Sequence, residues 1–304
     1  MSEQPNVSVV CLSYNRPHLL ADALAALAAQ TYPNLNVTVI DNRSPRSGEV
    51  AEVVARFPNV RLVPNPENAG FAGGMNLGIR QAAGEFVCLT EDDLTLAPNF
   101  VDALVGHFAA HPDTGLAAGL LINRGSRTIL CAGGEYDLGP VFRFRFRDEG
   151  EPDAKPFRGP FEVPFISGSL VFARRDFLAG ELNGFRDDFY LYYEDLDLSH
   201  RARRVGRRIV VVPGARAYHA EPPAGPPSDL AEYHKYKNLY SVYFLHAPAA
   251  VLPAFVLRYG PWALLRALLT GRLRDFRLAG KAWGYVLPRV PSLWRERRRA
   301  RGSR

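Results

Sequence analysis

The sequence predicts an α/β protein with a mostly parallel central sheet flanked by helices. Two patterns in the first 110 residues carry the prediction. Short apolar runs rich in β-branched residues alternate with longer segments of helical composition. Polar, acidic or glycine-containing residues follow each run, where an open α/β sheet has its loops. Such alternation implies strands joined by right-handed helical crossovers. The composition, 47% hydrophobic and 22% charged over 304 residues, fits a sizeable core and excludes a wholly disordered chain.

The first strand is Val7–Leu12, followed by a helix from Pro17 to Gln30 with proline at its start. Val37–Ile40 is a strand ended by Asp41-Asn-Arg-Ser44, Glu49–Phe57 a helix and Val60–Val63 a third strand. Ala72–Ala83 reads as a helix despite its glycines, Glu85–Thr90 as a fourth strand and Pro98–Ala110 as a helix. Residues 115–165 read as less regular, apart from Val141–Arg147. There Phe alternates with Arg, the period of a half-exposed strand, with an anion site as the alternative. Ile166–Ala173 and Ile209–Val212 read as strands, and Glu194–Val205 and Leu230–His246 as helices. A breaker-rich loop spans 221–227, and the last ten residues, 295–304, read as frayed. This divides the chain into a body, 1–246, with halves at about 1–115 and 116–246, and an extension, 247–304.

Charge follows the same division. Residues 1–257 carry 24 Lys and Arg against 29 Asp and Glu, a balance of −5, whereas 258–304 carry 13 against Asp275 and Glu296, a balance of +11. A basic end on an acidic body points to an anionic surface, membrane or nucleic acid, and no recognition fold accompanies the charge to favour nucleic acid. Cys11, Cys88 and Cys131 are too few and too scattered for a disulfide framework or zinc module, which suits a reduced cytosolic setting. The polar start lacks the pattern of a secretory signal, and Arg258, Arg266 and three prolines interrupt the most apolar stretch, Ala247–Thr270, so no spanning helix is expected.

Four strand ends carry chemistry: Ser13-Tyr-Asn-Arg16, Asp41–Ser44, Asn68–Asn76 and Glu91-Asp92-Asp93. Three adjacent carboxylates raise one another's pKa, a cost that a divalent ion removes; acids decorating a helix start are the plainer alternative. Gly73 and Gly74 open a helix and suit a phosphate, or else serve close helix–sheet packing. The segment lacks the Gly-Lys-Ser/Thr of a P-loop and the G-x-G-x-x-G of a dinucleotide site. Glu194 and Asp195 follow an aromatic run, Phe189-Tyr-Leu-Tyr-Tyr193, whose desolvation moves a carboxylate towards general-base strength; a helix cap is the alternative. His219 ends a strand, as a ligand or as a structural side chain.

These segments together resemble the family 2 glycosyltransferases, which have the nucleotide-diphospho-sugar transferase fold called GT-A. The resemblance covers roughly residues 6–246 and rests on VSVVCLSYNRP, AQTYPNLNVTVIDNRS, NPENAGFAGGMNLGIRQAAGEF, TEDDLTLAP and FRDDFYLYYEDLDLSHRARRVGRRIVVVPGARAYH. NAGFAGGMNLG is most similar to the rhamnosyltransferase and galactofuranosyltransferase branch. The resemblance implies that Ser13, Tyr14, Asn15, Arg16 and Asp41 face the nucleotide, with Asp41 accepting from the base and Tyr14 packing on it. Asn68, Gly73, Asn76 and Asp92 would line the sugar-diphosphate. Asp93, Glu91 and His219 would hold Mn²⁺ or Mg²⁺, and Asp195, with Glu194 beside it, would be the catalytic base. Two positions depart from the family's pattern: Glu91 is one methylene longer than the usual acid, and Leu12 replaces a common proline.

The implied function is an inverting, metal-dependent transfer of a sugar, rhamnose from dTDP-rhamnose in the first instance, to a glycan or lipid-linked acceptor. Galactofuranosyl or hexosaminyl transfer from a UDP-sugar is the alternative within enzymes. An inactive sugar-nucleotide-binding scaffold is the alternative outside them. Lipid-linked acceptors, common in this branch, imply a cytoplasmic protein peripheral on the inner membrane face. The extension would then lie at the interface, with Trp262, Trp283 and Trp294 at headgroup depth and the arginines snorkelling; a solvated tail with packing helices is the alternative.

Overall fold

The computed structural model describes residues 4–220 and 227–302, so most of the loop expected at 221–227 lies outside the described residues. The alternation appears as β1 (Val7–Ser13), α1 (Pro17–Ala28), β2 (Leu35–Asp41), α2 (Ser47–Val54), β3 (Val60–Pro64), α3 (Gly70–Gln81), β4 (Phe86–Glu91), β5 (Leu94–Leu96) and α4 (Phe100–Ala110). β3, β2, β1 and β4 run parallel in that order. β1 is buried at every position, as its unbroken apolar run requires when helices cover both faces of the sheet.

Residues 114–174 are more regular than their sequence. Among them are β6 (Thr114–Asn123), β7 (Ile129–Cys131), β8 (Gly134–Leu138), β9 (Phe142–Phe146), β10 (Phe161–Glu162) and β11 (Val171–Arg174). β6 is almost wholly buried, yet its sequence, TGLAAGLLIN, has two glycines and few β-branched residues, so packing rather than propensity makes the strand. β11 lies antiparallel to both β4 and β6, and β6 pairs parallel with β12 (Arg208–His219), giving a mixed sheet of order β10-β12-β6-β11-β4-β1-β2-β3. The Ile166–Ala173 run is a strand only from Val171. β12 is three times its expected length: it continues past Pro213 through a register shift and ends at His219.

The Phe/Arg alternation is a strand, as its period predicts. β9 pairs with β8 and turns Phe142 towards Tyr193 and Tyr243, and Phe144 and Phe146 towards Phe165. Arg145 on the other face pairs with Glu135.

After α5 (Glu194–Arg204) come α6 (Asp229–His246), α7 (Leu252–Leu257), α8 (Ala263–Leu269), α9 (Leu273–Val286) and α10 (Val290–Gly302). Two expectations for this end are corrected. Trp283 is buried in the core, stacked on Tyr240 at 4.4 Å with its Nε1 donating to Tyr259 O at 2.9 Å, so it cannot lie at headgroup depth, and Trp294 is half-buried against the same cluster. The end of the chain is not frayed at 295: α10 continues, Arg297 is buried and donates to Phe244 O at 3.2 Å, and Glu296 pairs with Arg186. No helix among the described residues is long and apolar enough to cross a membrane.

Candidate active site

The carboxyl ends of β1, β4 and β12 meet at one edge of the sheet. Beyond β4 the chain crosses through Asp92 and Asp93 into β5, which pairs with the end of β12 and sets His219 opposite Leu94. Ala220 N donates to Asp93 O at 2.9 Å and fixes that approach.

The acidic triplet is held from β1. Asp92 is fully buried; its Oδ2 accepts from Ser13 Oγ at 2.9 Å and from Tyr14 N at 3.0 Å. Arg16 reaches all three acids: its Nη2 is 2.7 Å from Asp92 Oδ1 and 3.9 Å from Glu91 Oε2, and its Nη1 bonds Asp93 Oδ2. One guanidinium does not balance three carboxylates. Burial, then Asp93, push Glu91 up to about 8, and burial pushes Asp92 up to about 6 against the pull of Arg16.

Asn15, at φ 60°, donates its N–H to Ser44 Oγ at 2.9 Å, and buried Asp41 accepts from Ser44 N at 2.9 Å. Tyr14 is 42% exposed, free to pack on a planar ligand. Asn68 Oδ1 accepts from Gly70 N at 3.0 Å and from Asn42 Nδ2 at 3.1 Å.

The glycine segment differs from expectation. α3 begins at Gly70, so Gly73 and Gly74 do not open the helix but lie in its first turns. A Cβ on Gly74 would stand 2.6 Å from Leu12 Cδ1, which is the close-packing alternative. Gly70, at φ 70°, lets the helix start press on Tyr190, whose carbonyl accepts from Ala72 N at 3.2 Å. Asn76 is buried and gives its amide to the protein: Nδ2 donates to Phe185 O at 2.8 Å and Asp187 Oδ1 at 2.7 Å, and Oδ1 accepts from Phe185 N at 2.8 Å. It staples α3 to the loop before α5.

That loop is strained. Tyr190, Tyr192 and Tyr193 all have left-handed backbones, at φ 66°, 68° and 64°. The buried face of α6 holds them. Asn238 Nδ2 lies 2.7–2.8 Å from the carbonyls of Phe189, Leu191 and Tyr192, Lys237 donates to Asp188 O, and His234 Nδ1 is 3.0 Å from Phe189 O. α5 then opens with Glu194 and Asp195. Asp195 Oδ2 accepts from Gly168 N at 3.1 Å and Oδ1 from Leu196 N at 2.8 Å, yet burial still lifts it to about 6. Burial and Asp195 raise buried Glu194 further. Glu91 lies in the field of Asp195 as well as of Asp93, and Glu194 in that of Glu91, so the two acidic clusters are close enough to act on each other. Sequence reasoning missed Asn42, Lys237 and Asn238; a Lys-Asn pair inside the α6 pattern was the available signal.

A divalent ion fits this edge. Asp93 Oδ1 is buried without a hydrogen-bond partner. His219 Nδ1 is 2.5 Å from Ala220 O, which places the ring proton there; in the neutral ring the Nε2 lone pair is left 3.7 Å from Asp93 Oδ2. A carboxylate facing an imidazole lone pair is stable with a cation between them. Among the described residues no group of three or more His, Cys, Asp or Glu is placed to hold a metal ion by itself. Mg²⁺ sites commonly take one or two carboxylates plus substrate phosphates and water, so an incomplete protein shell is the form to expect.

The model for "Glycosyl transferase family 2" matches residues 8–179, more than half of the chain. The chain belongs to this family and is a glycosyltransferase. It is 30% identical to the N-acetylglucosaminyl-diphospho-decaprenol L-rhamnosyltransferase of Mycobacterium tuberculosis, a match covering 75% of this chain and 81% of that protein. It is 27% identical to the O-antigen biosynthesis protein RfbC of Myxococcus xanthus over 71% of this chain and 17% of that one. Solved structures confirm the GT-A fold. GalNAc-T7 with UDP, GalNAc and Mn²⁺ superposes with a TM-score of 0.67 at 16% identity over 94% of this chain and 58% of its own. S. aureus TarS 1–349 with UDP-GlcNAc superposes with a TM-score of 0.61 at 17% identity over 95% and 83%.

Proposed function

We propose that this glycosyltransferase moves rhamnose from dTDP-rhamnose to a hydroxyl of a lipid-linked acceptor, inverting the anomeric carbon with the help of a divalent ion. The observation that carries the reading is the nearness of two groups: an Asp93 carboxylate whose Oδ1 has no partner and whose Oδ2 stands 3.7 Å from His219 Nε2, and an Asp195 carboxylate lifted to about 6 whose field reaches the neighbouring Glu91. Asp195 takes the acceptor's hydroxyl proton as that oxygen bonds the anomeric carbon. The bond from that carbon to the diphosphate breaks, and its electron pair leaves with the nucleoside diphosphate. A divalent ion seated by Asp93 and His219, with Glu91 in reach, would supply Lewis-acid stabilisation of the leaving oxygen. Tyr14 and Asp41 take the base, Asn15 and Arg16 lie beside it, and Asn68 and the α3 start flank the sugar-diphosphate. Asn76 and Asp187 set the distance between α3 and α5. The name of the M. tuberculosis relative supports rhamnose and a lipid-linked acceptor, which brings the enzyme to the cytoplasmic face of a membrane.

Turnover of dTDP-rhamnose, UDP-galactofuranose and UDP-GlcNAc, each with EDTA, Mn²⁺ or Mg²⁺, tests the reading. dTDP-rhamnose should turn over only with metal. Preference for a UDP-sugar would overturn the donor, and full turnover in EDTA would overturn the metal.

A further inference from the structure

Arg258, Arg266 and Arg272 line a cavity of about 210 Å³ between α6, α8 and the start of α9, with Tyr236, Tyr259 and Trp262 as its aromatic walls. Asp275 is the single acid of that lining. These arginines are exposed, and none forms an ion pair among the described residues. Arg274 and Arg277 of the same segment differ, because both are engaged by Asp229. Three arginines without ion-pair partners lining one aromatic-walled cavity suit a phosphate group, with forked donors that match its oxygens.

The surroundings identify what carries the phosphate. The chain kinks at Gly260–Pro261 between α7 and α8, and the bent pair projects apolar side chains into solvent. Leu257 is 66% exposed, Trp262 56%, Leu268 53%, Leu269 76% and Leu273 63%. Single exposed leucines need no explanation, but so many exposed apolar side chains within residues 257–273 do. This apolar stretch borders the basic cavity, and Trp262 belongs to both. Exposed apolar side chains, a tryptophan beside them and arginines around a cavity are the composition of a monotopic membrane contact.

We infer that the α7–α8 bend docks on an anionic bilayer, its apolar stretch entering the acyl boundary and Arg258, Arg266 and Arg272 gripping a phospholipid phosphate. The inference deepens the proposed reading by giving a lipid-linked acceptor's enzyme its membrane contact, and rests on that reading only for its biological purpose. Buried Trp283 takes no part.

Co-sedimentation of the full chain with vesicles tests it. The protein should pellet with phosphatidylcholine vesicles containing a third phosphatidylglycerol and stay soluble with pure phosphatidylcholine. Arg258→Gln/Arg266→Gln/Arg272→Gln should weaken binding roughly 100-fold, at about 1 kcal/mol for each basic residue near the surface. Leu268→Ser/Leu269→Ser should weaken it even at low salt. All these side chains are exposed, and an unchanged melting temperature checks the fold. Binding that survives both variants overturns the inference. So does binding confined to neutral vesicles doped with a polyprenyl diphosphate, which would make the cavity an acceptor site. Loss of a dimer in both variants, with vesicle binding unchanged, would make the apolar stretch a face between copies. Sugar transfer to a water-soluble acceptor, measured without vesicles, separates the two readings: activity without vesicle binding sinks the docking, and docking without activity sinks the proposed transfer.

Discussion

The two acidic clusters meet the same electrostatic problem and resolve it differently. At the end of β4, Glu91, Asp92 and Asp93 have a built-in counter-ion, Arg16, and Asp92 also receives hydrogen bonds from Ser13 and Tyr14. The cluster remains one cation short, and the shortfall shows in Glu91, raised to about 8. At the start of α5, none of the ion pairs among the described residues involves Glu194 or Asp195; Asp195 has only backbone N–H donors. There a proton is the accessible positive charge. The difference teaches that identical side chains acquire roles from their neighbours: the first cluster is suited to bind a cation, the second to accept a proton.

The largest break in this comparison is Asp195→Asn. It removes the proton acceptor but keeps the shape, and the amide oxygen keeps one of the two backbone hydrogen bonds, from Gly168 N or Leu196 N. The turnover number should fall by about 10²–10⁴-fold while the melting temperature holds or rises. The wild-type rate should have an acid limb near pH 6, because Asp195 works deprotonated and protonates below about 6. A variant with near-wild-type turnover would remove Asp195 from the reaction.

A smaller effect should follow from α6. Asn238→Leu keeps the bulk but strips the donor that reaches the carbonyls of Phe189, Leu191 and Tyr192. The left-handed run then loses its brace, and Asp195 shifts relative to the acceptor. A displacement of about 1 Å costs on the order of 100-fold in rate. The turnover number should fall by about that factor, with the KM for donor little changed because β1 and β2 are untouched. A donor KM that rises in step with the loss would mean that Asn238 serves folding of the whole cleft instead.

The first half of the molecule was legible because its signals are local. Val7–Ser13 is buried from end to end and reads as such, and each motif sits at the end of the strand that presents it. Residues 115–165 were less so, Val141–Arg147 apart, because β6 owes its existence to partners far along the chain, and TGLAAGLLIN has little strand preference of its own. The acids, Arg16 and His219 were legible as residue types, and the resemblance implied roles for them. Their arrangement was not legible, because it depends on Arg16 folding back over the triplet and on β5 carrying Asp93 to His219. Gly73 and Gly74 stayed ambiguous for the same reason: a glycine looks alike whether it meets a phosphate or, as Gly74 does, Leu12. The brace from Lys237 and Asn238 is written only as two polar residues on the buried face of α6, a pattern that acquires meaning once the loop beneath it is known.

The smallest effect concerns the cation shortfall itself. Glu91 has an ordinary value of 4.5 and is raised to about 8 in the fold, so its contribution to stability is fully present below 4.5 and is lost as pH rises through about 8. Glu91→Gln removes that titration. In metal-free protein at pH 8 the variant should melt roughly 2–4 °C higher than wild type, the shift that about 1 kcal/mol gives a domain of this size, and the gap should close towards pH 4.5. Mn²⁺ should narrow it from the other direction, because a cation in the cleft relieves the same repulsion that glutamine abolishes. The corresponding change in the second cluster, Glu194→Gln, should also raise the melting temperature at pH 8, since Glu194 is raised by burial and Asp195, but Mn²⁺ should leave that gain standing. Equal response of the two variants to Mn²⁺ would mean that the clusters are not divided between cation and proton, and the contrast between them would fail.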